Sequence, residues 1–404
     1  MNGIRRFGWV AFAGGALFLA TNVGKTHLCA AEAAETKTAK TAKTNSTARA
    51  SEDLFAKLEI HQLNIDLSDS AREALRHDPH HYVKATVQEG SRVYPDVGMR
   101  LKGGTNAPGI DKKPGFALKF NEFVKDQDFH GHTRILFNHS QSDPTYFSDT
   151  LASEIFRAVD VPSPRTTFAK VQLTGRDLGL YVVAEAVNKE FLGRYFKKAK
   201  GNLYEGSHAD VTEKLEKDSG DDSKEQNDLK ALARATKESD PAQRWTKLSP
   251  LLDLDRFIAF AAVEVLLWHR DGYVLDRNNY RIYHDPASEH LVFLPHDIDQ
   301  LCAKVDGPLL PEWQGVVATA VMNTPQGRQK YLERMTQLLD SAYRAETVKT
   351  RLDALTKLVR PALPANDPNL LKAFDAAASQ LQERITQRAA FLREELKRAP
   401  AAGK

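Results

Sequence analysis

The amino-acid sequence predicts an α+β protein with two lobes, the first rich in strands and the second mainly helical. Apolar and polar residues alternate through much of 57–123 and again through 168–185, which is typical of half-buried strands. Apolar residues recur at helical spacing in 251–271 and through 329–397, with one hairpin pattern at 279–299 between them. Strands followed by helices, without a repeating βα pattern, indicate the α+β class.

The first lobe, residues 53–186, is predicted from alternation and from capping residues. Four strands and one helix are expected within 57–123, where polar caps separate the apolar runs. Asp143-Pro144 predicts the start of a second helix, because a carboxylate caps the first turn and proline suits the first helical position. Two further strands are expected to turn at Gly175.

The second lobe, residues 187–398, is predicted to begin at a hinge near 185–190. A charged, Gly- and Ser-containing stretch at about 207–224 predicts a mobile insertion, which a helix follows. A strongly apolar helix comes next, then a hairpin that turns at Asp285-Pro286, and then the closing helices.

Residues 1–34 predict an export signal. Arg5 and Arg6 precede an apolar run over 7–20, and small residues follow it, as in a cleavable signal peptide. The apolar run is shorter than the roughly 20 residues that span a bilayer. We therefore expect a secreted or periplasmic protein with no stable membrane span in the mature chain. An uncleaved signal would instead anchor the protein in the membrane.

The segments that flank the two lobes are not expected to fold. Residues 35–52 form a Thr/Lys/Ala-rich run that cannot bury enough apolar surface to fold, and we interpret them as a disordered linker. We interpret 399–404 as a tail. Signal cleavage would remove Cys29 and leave Cys302 as the remaining thiol, which excludes an internal disulfide.

The composition fits a globular protein. The chain has 404 residues, of which 42% are hydrophobic, enough for a sizeable core. Its 56 Lys and Arg residues exceed its 53 Asp and Glu residues by three, a surplus too small to indicate an electrostatic footprint on nucleic acid. We therefore expect no nucleic-acid partner.

Acidic residues at the ends of apolar elements are the strongest candidates for chemistry. Asp271 follows an apolar helix, while Asp297 and Asp299 follow an apolar strand and flank Ile298. Carboxylates at a strand end can hold Mg²⁺ or Mn²⁺, because hard cations prefer oxygen ligands and leave positions for phosphate. A turn that caps the following segment is the alternative for Asp297 and Asp299.

Two asparagines and one histidine lie close to Asp271 in the sequence. Asn279 is the candidate metal ligand, whereas Asn278 is better explained as a turn residue before the next strand. His269, at a helix end, is expected to be a structural hydrogen-bond former rather than a proton shuttle.

Two lysines are candidate phosphate-binding residues. Lys119 points away from the apolar face of its strand. Lys102 precedes the Gly-rich stretch GGTNAPG, whose backbone N–H groups could hold a phosphate. A solvated lysine and an ordinary turn are the alternatives.

Two glutamates complete the candidate set. Glu154 borders the apolar face of its helix and could form an ion pair with Lys119, or it could be a solvated helix carboxylate. Glu185 ends the last strand before the hinge. It could contact a nucleotide base or bind a neighbouring backbone amide.

The chain resembles the CotH family, the atypical kinases named for a bacterial spore-coat protein. The resemblance rests on stretches that occur in family order over about 56–397: VGMRLKGG, KKPGFALKF, SDPTYFSDTLASEIFRAVDVPSPR, LGLYVVAEAVNKEFL, GNLYEG, RDGYVLDRNNYRIYHDP and LVFLPHDID. It implies a divergent protein-kinase-like fold of two lobes with ATP and Mg²⁺ or Mn²⁺ between them.

The resemblance also implies roles for particular residues. Asp271 takes the place of the catalytic base, and Asn279 and Asp297 take the places of metal ligands. Asp299 matches the second acid of the family's Asp-x-Asp motif, and Lys119 is the most plausible phosphate ligand. Family members usually have other residues before this catalytic Asp, so the letters His-Arg-Asp at 269–271 are a coincidence.

The expected function is that of an exported CotH-like kinase. It would transfer the γ-phosphate of ATP to Ser or Thr of an envelope or extracellular protein. A non-catalytic cell-surface protein that uses the scaffold for binding is the alternative. A glycosyltransferase that uses Asp297 and Asp299 is disfavoured, because the alternating βα pattern of nucleotide-sugar enzymes is missing.

Overall fold

The computed structural model describes residues 53–103, 107–221 and 223–399. The predicted export signal and linker lie outside the described residues, as does nearly all of the predicted tail. No helix within the described ranges is both long enough and apolar enough to cross a membrane.

A seven-stranded barrel forms the first lobe, here called the N-lobe. Its strands are β1 (Ile60–Asp66), β2 (Val83–Glu89), β3 (Arg92–Lys102), β4 (Gly115–Lys119), β5 (Arg134–Asn138), β6 (Thr166–Leu173) and β7 (Arg176–Glu185). The order around the barrel is β1-β2-β3-β4-β5-β7-β6. Parallel pairing of β1 with β6 closes the barrel, and the other neighbouring pairs are antiparallel.

The strand register determines which side chains leave the barrel. Met99 lies opposite Leu118, which lies opposite Ile135, and all three side chains are buried in the barrel core. Because successive side chains of a strand point to opposite faces, Lys102 and Asn138 project from the outer surface of the barrel.

Two helices belong to this part of the chain, α1 (Asp69–His77) and α2 (Ser148–Ala158). The start of α2 differs from the prediction, because Tyr146 has a φ of +62° and cannot continue a helix back to Pro144. The buried Asp143 carboxylate instead accepts the Ser148 N–H at 2.8 Å. Asp143 therefore caps α2 across a turn.

The second lobe, here called the C-lobe, contains a four-stranded sheet. Its strands are β8 (Leu203–Gly206), β9 (Glu216–Ser219), β10 (Tyr280–His284) and β11 (Leu291–Pro295), in the order β11-β10-β8-β9. The antiparallel pairing of β10 with β11 is the predicted hairpin. β9 falls within the predicted insertion and pairs with β8, so part of that segment belongs to the sheet.

Helices make up most of the remaining C-lobe. They are α3 (Lys189–Tyr195), α4 (Asn227–Thr236), α5 (Pro241–Leu248), α6 (Leu254–Leu267), α7 (Tyr273–Asp276), α8 (Val316–Met322), α9 (Pro325–Asp340), α10 (Ala345–Val359) and α11 (Pro368–Arg398), with a 3-10 helix at Arg360–Ala362. Strands in the N-lobe and mainly helices in the C-lobe confirm the predicted α+β class.

Helix α6 lies at the centre of the C-lobe core. Every residue from Phe257 to Leu267 is buried, and α9, α11 and β11 pack against the helix. A helix that is apolar on all sides must be surrounded by protein. Its C-terminal end therefore leads into the Asp271 turn from a fixed position.

Candidate active site

Asp271 lies in the turn between α6 and the short helix α7. The chain leaves α6 at Trp268, whose φ of +45° ends the helix in the left-handed region. The His269 N–H donates to the Glu264 carbonyl at 2.9 Å, and the Gly272 N–H donates to the His269 carbonyl at 2.9 Å. These bonds fold a compact turn that leaves the Asp271 side chain exposed.

The Glu264 side chain binds the backbone that follows this turn. Its side chain is fully buried and accepts the Tyr273 N–H at 3.1 Å and the Val274 N–H at 2.8 Å. These amides begin α7, where an anionic group is favoured. The sequence reasoning missed Glu264, although one carboxylate within an apolar helix signals a buried hydrogen-bonding partner.

Gly272 has no room for a side chain, which leads to a first prediction. A methyl group there would lie 2.5 Å from His269 Nδ1 and 2.7 Å from Glu264 Oε1. We expect Gly272→Ala to lower the free energy of unfolding by about 1–3 kcal/mol, as overpacking does, in a urea titration.

Gly193→Ala is the matched control for this substitution. Gly193 lies in α3, and nothing else in the described chain lies within 4 Å of the added methyl group. Alanine suits a helix better than glycine, so stability should stay the same or rise. Wild-type stability in Gly272→Ala would show that the turn is looser than its contacts indicate.

Two asparagine amides orient the Asp271 carboxylate. Asn278 Nδ2 donates to Asp271 Oδ1 at 3.1 Å, and Asn279 Nδ2 donates to Asp271 Oδ2 at 2.8 Å. The structure thus brings both asparagines to Asp271. Because the Asn279 nitrogen is engaged as a donor, its Oδ1 is left to accept a hydrogen bond or to bind a cation.

The β10–β11 hairpin brings Asn279 beside Asp297. Tyr280 pairs with Pro295, and the His296 N–H donates to the Asn279 carbonyl at 3.0 Å. Asn279 and Asp297 have φ values of +49° and +48°, a conformation that is uncommon outside glycine and that clusters at functional sites. The two predicted metal ligands therefore lie at the same end of the paired strands β10 and β11.

Three side chains connect the N-lobe to this end of β10 and β11. Lys102 Nζ donates to Asn138 Oδ1 at 2.7 Å, and Asn138 Nδ2 donates to Asp149 Oδ2 at 2.6 Å. The Asp149 carboxylate also accepts the Ile298 N–H at 3.1 Å. Because Ile298 follows Asp297, these bonds hold Lys102 and Asp297 in the same cleft. Sequence reasoning missed Asn138 and Asp149.

The charges in the cleft act on one another. Desolvation and the Asp297 carboxylate raise the pKa of Asp149 to about 7. Desolvation is the largest single effect on Asp297 and opposes its ionisation, but the positive charges of Lys102 and of three nearby histidines together outweigh it and lower the pKa of Asp297. Desolvation and Asp297 also raise the pKa of Asp299. Asp297 is therefore the acid of this group that loses its proton most readily.

The structure separates Lys119 from this cleft cluster. Lys102 pairs with Gly115 at one end of β4, whereas Lys119 ends the same strand. Lys119 Nζ forms an ion pair with Glu122 at 2.6 Å. Lys102, rather than Lys119, is thus the candidate lysine that reaches the acidic residues.

The predicted ion pair between Lys119 and Glu154 is wrong. Arg351 of α10 donates to Glu154 through Nε at 2.7 Å and through a second nitrogen. Residues five apart on a helix point about 140° away from each other. Glu154 therefore faces α10, while Asp149, five residues earlier on α2, faces the cleft.

Glu185 is a buried ion-pair partner at the end of β7. Its side chain, 1% exposed, accepts the Arg165 backbone N–H at 3.2 Å and Arg165 Nη2 at 3.2 Å, and it also binds Arg194. Of the two predicted roles, the structure shows the bond to a neighbouring backbone amide. Two guanidinium groups already neutralise the carboxylate.

A cavity of about 420 Å³ opens between the two lobes. Lys119 and Arg134 line it from the barrel, Val187 and Asn188 from the connection between lobes, and Leu203 from β8. This volume lies within the range of small-ligand sites, but of the candidate residues only Lys119 lines the cavity, and Lys102 and Asp297 are not part of its lining.

The side chains of Asn279, Asp297 and Asp299 carry oxygen atoms of the type that binds divalent cations. Carboxylate and amide oxygens are the ligands that Mg²⁺ and Mn²⁺ prefer, and both ions accept phosphate oxygens in their remaining positions. The pairing of Tyr280 with Pro295 places Asn279, which precedes β10, and Asp297, which follows β11, at the same end of the two strands.

A second group of possible ligands flanks Asp271. One ligand atom from each of His208, Asp271 and Asp276 lies within 4.8 Å of the others, and His208 Nδ1 lies 3.5 Å from an Asp276 oxygen. Both His208 and Asp276 are exposed, and exposed pairs of this kind are common without a metal.

Comparison with known proteins identifies the family. Two relatives are each 22% identical: inner spore coat protein H of Bacillus subtilis, over 68% of this chain and 81% of that protein, and invasin CotH2 of Rhizopus delemar, over 56% of this chain and 44% of that protein. The match to CotH2 thus spans less than half of that protein.

Two solved structures are remotely similar. The Helicobacter pylori proinflammatory kinase CtkA gives a TM-score of 0.33 at 10% identity, over 69% of this chain and 94% of that chain. HipA of Shewanella oneidensis, in a complex with HipB and operator DNA, gives 0.34 at 11% identity, over 83% and 74%. The family described as CotH kinase protein matches residues 99–392, so this chain belongs to the CotH kinase family.

Proposed function

We propose that this protein is an exported kinase that transfers the γ-phosphate of ATP to Ser or Thr of an envelope or extracellular protein. The observation that carries the proposal is the placement of three residues: Asp271 accepts the Asn279 amide, and the Asn279 carbonyl accepts the N–H of His296, the neighbour of Asp297. Membership of the CotH kinase family supports it. Export rests on the sequence of residues 1–34.

Each residue of the set has a chemical role in this proposal. Asp271, exposed and oriented by two amides, accepts the proton of the substrate hydroxyl. Lys102 neutralises phosphate charge, and the oxygens of Asn279, Asp297 and Asp299 hold Mg²⁺ or Mn²⁺. When bound, the cation supplies charge neutralisation at the phosphate oxygens.

The transfer itself needs few covalent steps. The hydroxyl oxygen of Ser or Thr forms a bond to the γ-phosphorus while the bond to the β,γ-bridging oxygen breaks. The hydroxyl proton goes to Asp271, and ADP leaves. Positioning and electrostatic stabilisation therefore account for most of the expected rate.

Thermal stability with ATP is the experiment that tests the proposal. The purified protein is heated with ATP alone, with Mg²⁺ or Mn²⁺ alone, and with both, and transfer is then followed with labelled ATP. Ligand at 100 times its Kd stabilises a native protein by about 2.7 kcal/mol. A metal-dependent rise followed by transfer to Ser or Thr is expected, and absence of both would refute the proposal.

A non-catalytic binding protein is the second candidate. It is favoured by the names of the two curated relatives, one a spore coat protein and the other an invasin. This candidate predicts no stabilisation by ATP, or stabilisation without transfer, so the same experiment separates it from a kinase.

The two candidate lysines give a further prediction. Lys102→Met should raise the KM for ATP and lower the rate of transfer about tenfold or more, because a charge-assisted phosphate contact is lost. Lys119→Met should have a smaller effect, since Lys119 pairs with Glu122. Steady-state kinetics on both variants measure these effects. A larger loss of transfer rate in Lys119→Met than in Lys102→Met would make Lys119 the phosphate-binding lysine instead.

A further inference from the structure

Arg388 is a buried cation that sequence reasoning did not single out. It lies on α11, the long closing helix, and its side chain is fully buried. Within the described chain no carboxylate lies at ion-pair distance from it. Burial of an unpaired charge is costly, so its surroundings must compensate in another way.

Backbone carbonyls provide the compensation. Arg388 Nη2 donates to the Val265 carbonyl at 2.7 Å, and Nε donates to the Leu266 carbonyl at 3.3 Å. These carbonyls belong to the last turn of α6, where the helix dipole favours a cation. The guanidinium also lies over the Trp268 ring, 5.2 Å from its centroid.

The same guanidinium binds a second segment. Nη1 donates to the Val305 carbonyl at 3.2 Å and also to the Gly307 carbonyl. This segment follows Asp299, and its neighbour Cys302 donates its N–H to the Leu267 carbonyl at 2.6 Å. Arg388 therefore joins the helix end before Asp271 to the loop that follows the Asp-x-Asp pair.

We propose that Arg388 is a positioning residue for phosphoryl transfer. It fixes the relative placement of the two segments that carry Asp271 on one side and Asp297 and Asp299 on the other. This inference rests on the proposed function. It makes the closing helix part of the catalytic arrangement, although no atom of Arg388 contacts the reacting groups.

Three variants test the inference. Arg388→Met removes all four carbonyl contacts. Arg388→Lys keeps the charge but cannot reach both segments with one ammonium group. Arg393→Met is the matched control, because Arg393 ties the same helix to Asp340 and to the Leu339 carbonyl of α9, away from the Asp271 turn.

The measurements are kcat, the KM for ATP and hydrogen exchange, all below the unfolding temperature of each variant. Both Arg388 variants should lower kcat at least tenfold and change the KM for ATP less than threefold. They should also speed exchange of the amides in 267–274. The control should lose stability only.

Each outcome has a separate meaning. If the wild type is active and Arg388→Lys has the same kcat as the wild type, the inference is overturned. It is also overturned if the Arg393→Met control loses as much kcat as the Arg388 variants. If Arg388→Met does not fold, Arg388→Lys decides. An inactive wild type refutes the proposed function instead, and unchanged exchange in 267–274 would then refute the positioning role as well.

Discussion

Asp271→Ala is expected to lower the rate of phosphoryl transfer by about 10²- to 10⁴-fold, the usual contribution of a general base. ATP binding should be unchanged, because Asp271 is engaged by asparagine amides rather than placed among the proposed metal ligands. Single-turnover transfer and the ATP-induced thermal shift measure the two effects separately.

Asp276→Ala is the control for this variant. Asp276 is also an acidic residue beside Asp271, so its removal changes the local charge by the same amount but leaves the proposed base in place. Its transfer rate should stay close to that of the wild type. Transfer at the wild-type rate in Asp271→Ala would remove Asp271 from the mechanism.

Asp297→Ala is expected to abolish the metal-dependent part of ATP binding. This residue is the readily ionised carboxylate of the cleft: desolvation opposes its ionisation, but the charges of Lys102 and three histidines together lower its pKa. Without it, Asn279 and Asp299 keep only part of the oxygen ligand set. The stabilisation of about 2.7 kcal/mol at 100 times Kd should therefore fall to the value seen with ATP alone.

The same experiment also tests the second group of possible metal ligands, which flanks Asp271. If the cation were held by His208, Asp271 and Asp276, then Asp276→Ala would lose the metal-dependent shift and Asp297→Ala would keep it. The opposite result is expected. A shift that survives both substitutions would place the cation elsewhere.

The elements predicted best are those with a local pattern. Alternation predicted β3 and β4, turn residues predicted the hairpin of β10 and β11, and helical spacing predicted α6. β5 was missed because the three central residues of its sequence, RILFN, are all apolar and show no alternation. β8 was missed because its four residues are too few to display a period.

The site was predicted only where its residues end an apolar element. Asp271 and Asp297 stand out in the sequence because a polar residue follows an apolar run in each case. Asn138 bonds to Lys102, 36 residues away in the sequence, and Asp149 bonds to Ile298, 149 residues away. A local sequence pattern carries no information about such distant partners. Lys102 and Lys119 have the same pattern, so only the register of β3 and β4 separates them.

The closed barrel limits how an extended substrate segment can be recognised. Each of its strands already has two neighbours, so the barrel offers no free edge to which a peptide could add as a further strand. The C-lobe sheet, by contrast, ends in β9 on one side and β11 on the other. Backbone pairing with the proposed substrate protein would therefore be confined, within the described chain, to the lobe that carries Asp271.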